Sequence, residues 1–259
     1  MYTLEELFSL KGQVAAVIGG GGVLAGAMAR GLAGAGADVA ILDLNAENAE
    51  NAAGQIQEMG SRSMTVALDA TSKSGLEEAE EKINTELGPV SILINAPGIN
   101  SSTPFFSISE EEWDKIVAVN LKSMFLACQI FGEKMISRGI PSSIINISSA
   151  SSGPPLSKVF TYSVTKAGVN NLTRFLAREW ATKGVRVNAI APGFFPAEQN
   201  RRILTPERTE AIMRHTPMNR FGEAEELIGA VVWLASSQAS SFVTGAVIRV
   251  DGGFTAMTI

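Results

Sequence analysis

Short β-branched apolar runs alternate along the chain with longer amphipathic stretches, and this alternation is compatible with few folds. Residues 14–18, 39–42, 64–68, 92–95, 143–147, 185–190 and 247–250 read as strands. Most are continuous apolar runs, as expected of strands buried on both faces of a parallel sheet. Residues 24–35, 46–59, 74–87, 109–137, 160–183 and 224–236 carry helix-length patterns. Ser109 followed three positions later by Glu112 reads as a capping box, and Gly60, Gly88, Gly139 and Gly184 stand where helices end. Parallel strands joined by right-handed helical crossovers give one open, doubly wound α/β sheet of seven strands.

No Pro/Gly-rich linker and no internal repeat divides residues 1–259, so a single domain is expected. The segment 194–222, holding Pro196, Pro206 and Pro217, breaks the strand–helix rhythm. An insertion of that length in a compact domain usually serves a site, and it reads as a substrate loop or lid.

The chain carries 21 basic and 26 acidic side chains, a formal charge of -5. That balance is the reverse of the basic surface a nucleic-acid binder needs. One cysteine, Cys128, and one histidine, His215, supply neither a disulfide framework nor a Cys/His zinc site, and no metal is expected. Residues 1–12 contain Glu5 and Glu6 with no basic start ahead of an apolar core, so no signal peptide is read and a cytoplasmic address is expected. The uncharged stretch 14–29 is broken by Gly19–Gly22 and closed by Arg30, which argues against a membrane span.

In an open α/β sheet, ligands bind outside the carboxyl ends of the strands, and the first strand-to-helix turn is the first place to look. That turn reads Gly19-Gly20-Gly21-Gly22-Val23-Leu24-Ala25-Gly26. Glycines admit a pyrophosphate close to the backbone, where free amides at a helix start stabilise its charge. Asp43 ends the second strand 43 − 19 = 24 residues after the first loop glycine, close to the spacing of a ribose-binding acid. Its carboxylate would accept from the ribose hydroxyls and repel a 2′-phosphate. With no Arg or Lys in residues 43–47, NAD is expected over NADP. Asp69, with Ala70 after it, either contacts the adenine or caps the following loop.

The strongest chemical signal is Tyr162-Ser163-Val164-Thr165-Lys166. The i, i+4 spacing puts phenol and ammonium on one helix face, where the cation would lower the phenol pKa. Tyr162 then becomes a general acid/base for alcohol–ketone interconversion. Ser149 lies 13 residues upstream at the end of the fifth strand, and Asn120 lies in the helix before that strand.

With these residues in place, the chain resembles the short-chain dehydrogenase/reductases over essentially its whole length. The resemblance rests on Val119-Asn120, Asn146-Ile147-Ser148-Ser149, the Tyr162/Lys166 pair, Arg186-Val187-Asn188, Pro192-Gly193 and Asp251-Gly252-Gly253. It implies a Rossmann fold and a catalytic tetrad of Asn120, Ser149, Tyr162 and Lys166. Ser149 would donate to the substrate oxygen and Tyr162 would exchange the hydroxyl proton. Lys166 would bind the nicotinamide ribose, and Asn120 would hold a water linking Lys166 to solvent. Cofactor contacts are expected from Gly19, Gly21, Gly22, Val23, Leu24, Asp43, Asp69, Ala70, Asn95, Ala96, Pro97, Gly98, Tyr162, Lys166, Pro192, Gly193 and Phe195. A homotetramer built on the two long helices is implied as well.

The chain departs from the family at three places. Val23 and Ala25 replace the second and third glycines of the phosphate motif. Asn95-Ala96-Pro97-Gly98 stands for Asn-Asn-Ala-Gly, and Ala197 replaces a hydroxyl residue after Pro192-Gly193. The four-glycine loop, with Glu-Gln-Asn-Arg and His-Thr-Pro-Met in the lid, resembles the branch acting on mannonate, fructuronate or gluconate. Ser151, Lys158 and Gln199 are the expected substrate contacts, and Cys128 is expected in core or interface packing. The competing readings are a 3-oxoacyl thioester reductase, against which Asp43 argues, and a dinucleotide-binding sensor whose chemistry has lapsed.

Overall fold

The computed structural model describes residues 2–154, 156–195 and 205–257. Seven strands form one sheet in the order β3-β2-β1-β4-β5-β6-β7. They are β1 (Val14–Ile18), β2 (Asp38–Asp43), β3 (Ser63–Ala67), β4 (Val90–Asn95), β5 (Ser142–Ile147), β6 (Val185–Pro192) and β7 (Val247–Val250). Every pairing is parallel. Each expected strand is present, as is the doubly wound topology.

The side-chain period of two sorts the strand residues between two apolar layers. Ala15 and Val17 face a layer that contains α2 (Val23–Gly34), α3 (Ala46–Glu58) and the helix Ile228–Ala235. Val14, Ala16 and Ile18 face the opposite layer, built with α4 (Lys73–Glu86), α6 (Ser123–Arg138) and α7 (Phe160–Trp180). Gly60, Gly88, Gly139 and Gly184 all adopt positive φ, the left-handed conformation that lets a chain leave a helix at little cost.

Several features lay beyond the sequence reading. A short helix α1 (Leu4–Phe8) precedes β1, closed by a reciprocal cap between Thr3 and Glu6. The long helix expected at 109–137 is interrupted: α5 (Glu110–Val117) passes through a π-helical turn, Ala118–Lys122, into α6. The span Glu110–Arg138 is long and apolar enough to cross a membrane by length and composition, but more than half of its apolar window is buried within the domain. The segment 194–222 contains a helix, Pro206–His215, started by Thr205, whose Oγ1 accepts from the Arg208 amide.

The Arg186-Val187-Asn188 motif, outside the cleft, holds the sheet's far edge together. The Arg186 guanidinium donates to the Leu234, Ala235 and Ser236 carbonyls, orphan acceptors at a helix C-terminus, and to Ser240 Oγ. Asn188 bonds Val243 O and the Ala246 amide, fixing the approach to β7.

Candidate active site

The strand order reverses at β1, whose neighbours are β2 and β4. In register, Ile18 pairs with Leu42 on one side and Asn95 on the other, so the carboxyl ends of the three strands align. A cleft of about 1110 Å³ opens there and continues past β5 and β6. Expected residues along its wall are Gly19, Gly21, Gly22, Val23, Leu24, Asp43, Asp69, Ala70, Ala96, Pro97, Gly98, Ser149, Ser151, Tyr162, Lys166, Pro192, Gly193 and Phe195.

The glycine loop is shaped by close approach. Gly19 has φ +75°, and a Cβ there would stand 3.0 Å from the Ala96 carbonyl carbon. A Cβ on Gly21 would meet Asn48 Cβ at 2.8 Å and Asp43 Oδ2 at 3.0 Å. Gly22 caps α2 without a side chain, so the free amides of the first turn face the cleft. The Asp43 carboxylate is fixed by two backbone donors, Gly21 N at 3.0 Å and Asn45 N at 2.9 Å. It retains unused lone pairs for a ligand. A loop that side chains at Gly19 and Gly21 would crowd, leading into a helix start beside an oriented carboxylate, fits a dinucleotide: pyrophosphate on the loop and ribose on Asp43. Asp69 accepts from the Thr71 amide and hydroxyl, so it caps its own loop while lining the same end of the cleft.

At the other end, Ser149 leaves β5 in extended conformation, and its Oγ accepts from Ser151 N at 3.2 Å and Ser151 Oγ at 3.1 Å. The Ser149 hydroxyl and the Tyr162 phenol line the same stretch of the cleft. Lys166, one helical turn on, places Nζ 5.5 Å from the Tyr162 ring centroid and donates to Ile147 O at 2.8 Å. Burial holds its pKa down to about 8. The expected depression of the Tyr162 pKa is not what the cleft shows. Burial raises it, opposed only by the Ser149 hydroxyl, because the Lys166 ammonium is itself desolvated and turned to a carbonyl.

Three expected contacts stand elsewhere. Asn95 is fully buried behind the cleft, its amide donating to Asn146 Oδ1 at 2.9 Å and Cys128 Sγ at 3.4 Å; the alternation of β4 turns it away from the ligand side. Cys128 is accordingly core packing, its thiol pushed up to about 12 by burial. Lys158, at φ +67°, is exposed and does not line the cleft; its charge acts on Glu207. Asn120, buried in the π turn, bonds Ile99 N at 2.8 Å and Ile99 O at 2.9 Å, so its amide clamps the strand-end loop behind the cleft wall. Gln199 and Ala197 lie outside the described residues.

Sequence reading missed Asn45 and Asn48 at the adenosine end, and Leu156, Val159 and Arg208 at the reaction end. Arg208 comes from the helix Pro206–His215; its only sequence signal was the Thr-Pro-Glu start of that helix.

Comparison with known proteins agrees with this geometry. A family model described as Enoyl-(Acyl carrier protein) reductase matches residues 22–255. An uncharacterized oxidoreductase, UxuB, of Bacillus subtilis is 39% identical, with 99% of each chain covered. Gluconate 5-dehydrogenase of Gluconobacter oxydans is 37% identical over 96% of this chain and 97% of its own. The crystal structure of a gluconate 5-dehydrogenase from Burkholderia cenocepacia, in complex with NADP and tartrate, superposes with a TM-score of 0.94 at 33% identity, covering 99% and 100% of the two chains. The chain belongs to the short-chain dehydrogenase/reductase family, the NAD(P)-dependent oxidoreductases that act on CH–OH groups.

Proposed function

We propose that this protein interconverts a secondary alcohol and a ketone on a sugar acid or polyol, with NAD as its cofactor and Tyr162 as general acid/base. The observation that carries the reading is the convergence of Ser149, Tyr162 and Lys166 on the cleft wall, with Lys166 Nζ 5.5 Å from the Tyr162 ring centroid, at the end remote from Asp43. The nicotinamide, when bound, supplies the hydride acceptor or donor.

Everything else falls to the chain's own groups. The Ser149 hydroxyl, oriented by Ser151, donates to the substrate oxygen. Tyr162 Oη takes the hydroxyl proton in oxidation and returns it in reduction. The Lys166 cation stabilises the phenolate that forms in reduction. With burial holding Tyr162 in its protonated form, reduction starts from the required state, and oxidation depends on Lys166 to make the phenolate accessible.

A sugar acid is supported by the names of the relatives, one a gluconate 5-dehydrogenase and one a complex with the hydroxy acid tartrate. The Burkholderia protein carries NADP, so the preference for NAD rests on Asp43 and on the neutral residues Leu44, Asn45 and Asn48 beside it. A homotetramer is supported by Phe125, Phe160, Val164 and Phe175, apolar side chains left exposed on α6 and α7. A monomer in light scattering at micromolar concentration would contradict it.

The direct test is Tyr162→Phe. Turnover should fall by a factor on the order of 10² or more while NAD affinity stays within about two-fold. Unchanged turnover would sink the mechanism.

A further inference from the structure

The cleft is electrically lopsided. Its two acidic wall residues are Asp43, the last residue of β2, and Asp69, just after β3, and its two basic ones, Lys166 and Arg208, lie at the opposite end. Lys166 is committed to Ile147 O behind the Tyr162 ring. Arg208 is not engaged in this way. It forms no ion pair among the described residues: its neighbour Glu210 pairs with Arg214, and Glu207 lies under the influence of Lys158. One guanidinium nitrogen, Nη2, donates to Ser157 O at 3.0 Å.

Among the described residues that is the one side-chain hydrogen bond of the group, and it fixes the guanidinium without satisfying it. A guanidinium offers five donors in a planar fork, and here the Nη1 and Nε donors have no protein acceptor among the described residues. The backbone beneath it is held in place, because Arg208 is the third residue of a helix begun by Pro206 and capped by Thr205. The side chain is half-buried, and burial depresses its pKa, with no carboxylate among the described residues to offset the cost. A half-buried cation with no counter-ion among the described residues, lining a cleft, suits an anion from outside the protein.

Resting on the sugar-acid reading above, we infer that Arg208 binds the substrate carboxylate and is what separates sugar acids from neutral polyols. The hydroxyl to be oxidised sits at Ser149 and Tyr162, and the carboxylate at the far end of the same carbon chain engages the open guanidinium edge. Remote binding of this kind orients the reacting carbon, so its loss reaches kcat as well as KM. A polyol of the same length reaches Ser149 and Tyr162 but leaves the guanidinium unanswered.

The test compares wild-type protein with Arg208→Ala and Arg208→Lys on the aldonates gluconate and mannonate and the polyols sorbitol and mannitol, and measures NADH dissociation constants alongside. Arg208→Ala should lose roughly 10- to 100-fold in kcat/KM on the aldonate used by the wild type, the range for a charge-assisted hydrogen bond. NADH binding should stay within about two-fold, and added guanidinium ion should restore part of the aldonate activity. Arg208→Lys should fall in between, since a lysine keeps the charge without the fork. Aldonate turnover unaffected by Arg208→Ala would overturn the inference and leave the sugar-acid reading standing. An equal loss in NADH affinity would overturn it by assigning the guanidinium to the cofactor. Wild-type turnover of polyols alone would overturn both.

Discussion

The Asp43 carboxylate accepts a hydrogen bond from the Gly21 amide at 3.0 Å, tying the end of β2 to the glycine loop that follows β1. One side chain therefore holds the phosphate loop in shape and presents its remaining lone pairs where an adenosine ribose would lie. Val23 and Ala25 stand where the family has glycines, yet the loop still closes, because the closest approaches fall on Gly19, Gly20 and Gly21.

Replacing Asp43 should therefore alter both cofactor affinity and cofactor choice. Asp43→Ala removes a charged acceptor from the ribose diol, expected to weaken NAD by roughly 10- to 100-fold, and removes the repulsion that disfavours a 2′-phosphate. Titration of both cofactors should show the NAD preference collapse. A wild-type protein that binds NADP more tightly would contradict the assignment.

Gly19→Ala places a Cβ 3.0 Å from the Ala96 carbonyl in a backbone conformation costing an L-residue about 1–2 kcal/mol. Lower thermal stability together with weaker NAD binding is expected. Wild-type affinity would show that the loop need not keep this conformation to hold the pyrophosphate.

Asn120→Ala leaves the Ile99 amide and carbonyl without their side-chain partner. A destabilisation of about 1–3 kcal/mol is expected in chemical denaturation. Because Asn120 does not line the cleft, its loss should act by loosening the wall at Gly98 and Ile99, lowering kcat more than NAD affinity. Unchanged stability would contradict the clamp.

The pH dependence follows from Lys166. Its folded pKa, about 8, lies below the ordinary lysine value, so the ammonium is present below about pH 8 and lost above it. On the proposed mechanism that cation stabilises the phenolate formed in reduction, so reductive kcat/KM should be flat below about pH 8 and fall above it. Lys166→Met should lower turnover and abolish that inflection. Stability has the opposite slope: between about pH 8 and the ordinary lysine range the unfolded chain binds the extra proton, so the Lys166 contribution to stability rises with pH. A wild-type profile without an inflection near pH 8 would contradict the role given to Lys166.

Local signals carried most of this account. The strands, the glycine loop, Asp43 and the Tyr162/Lys166 pair are each set by spacing within one or two elements, and the structure places them where such spacing requires. What escaped depends on long-range packing. Asn95 is adjacent in sequence to the cleft residues Ala96 and Pro97, but only the packing of β4 against Cys128 and Asn146 decides which face it takes. The π turn around Asn120 has no sequence signature. Arg208 lies in a segment interrupted by three prolines, and its place in the cleft depends on Ser157, 51 residues away.

The most direct measurement follows nicotinamide absorbance with purified protein, NAD or NADP, and a panel of aldonates, polyols and secondary alcohols, run for wild type and Tyr162→Phe side by side. NAD-linked turnover of a sugar acid that vanishes in Tyr162→Phe is the expected result. Tight NAD binding with no turnover of any substrate, or turnover that survives the loss of the phenol, would contradict it.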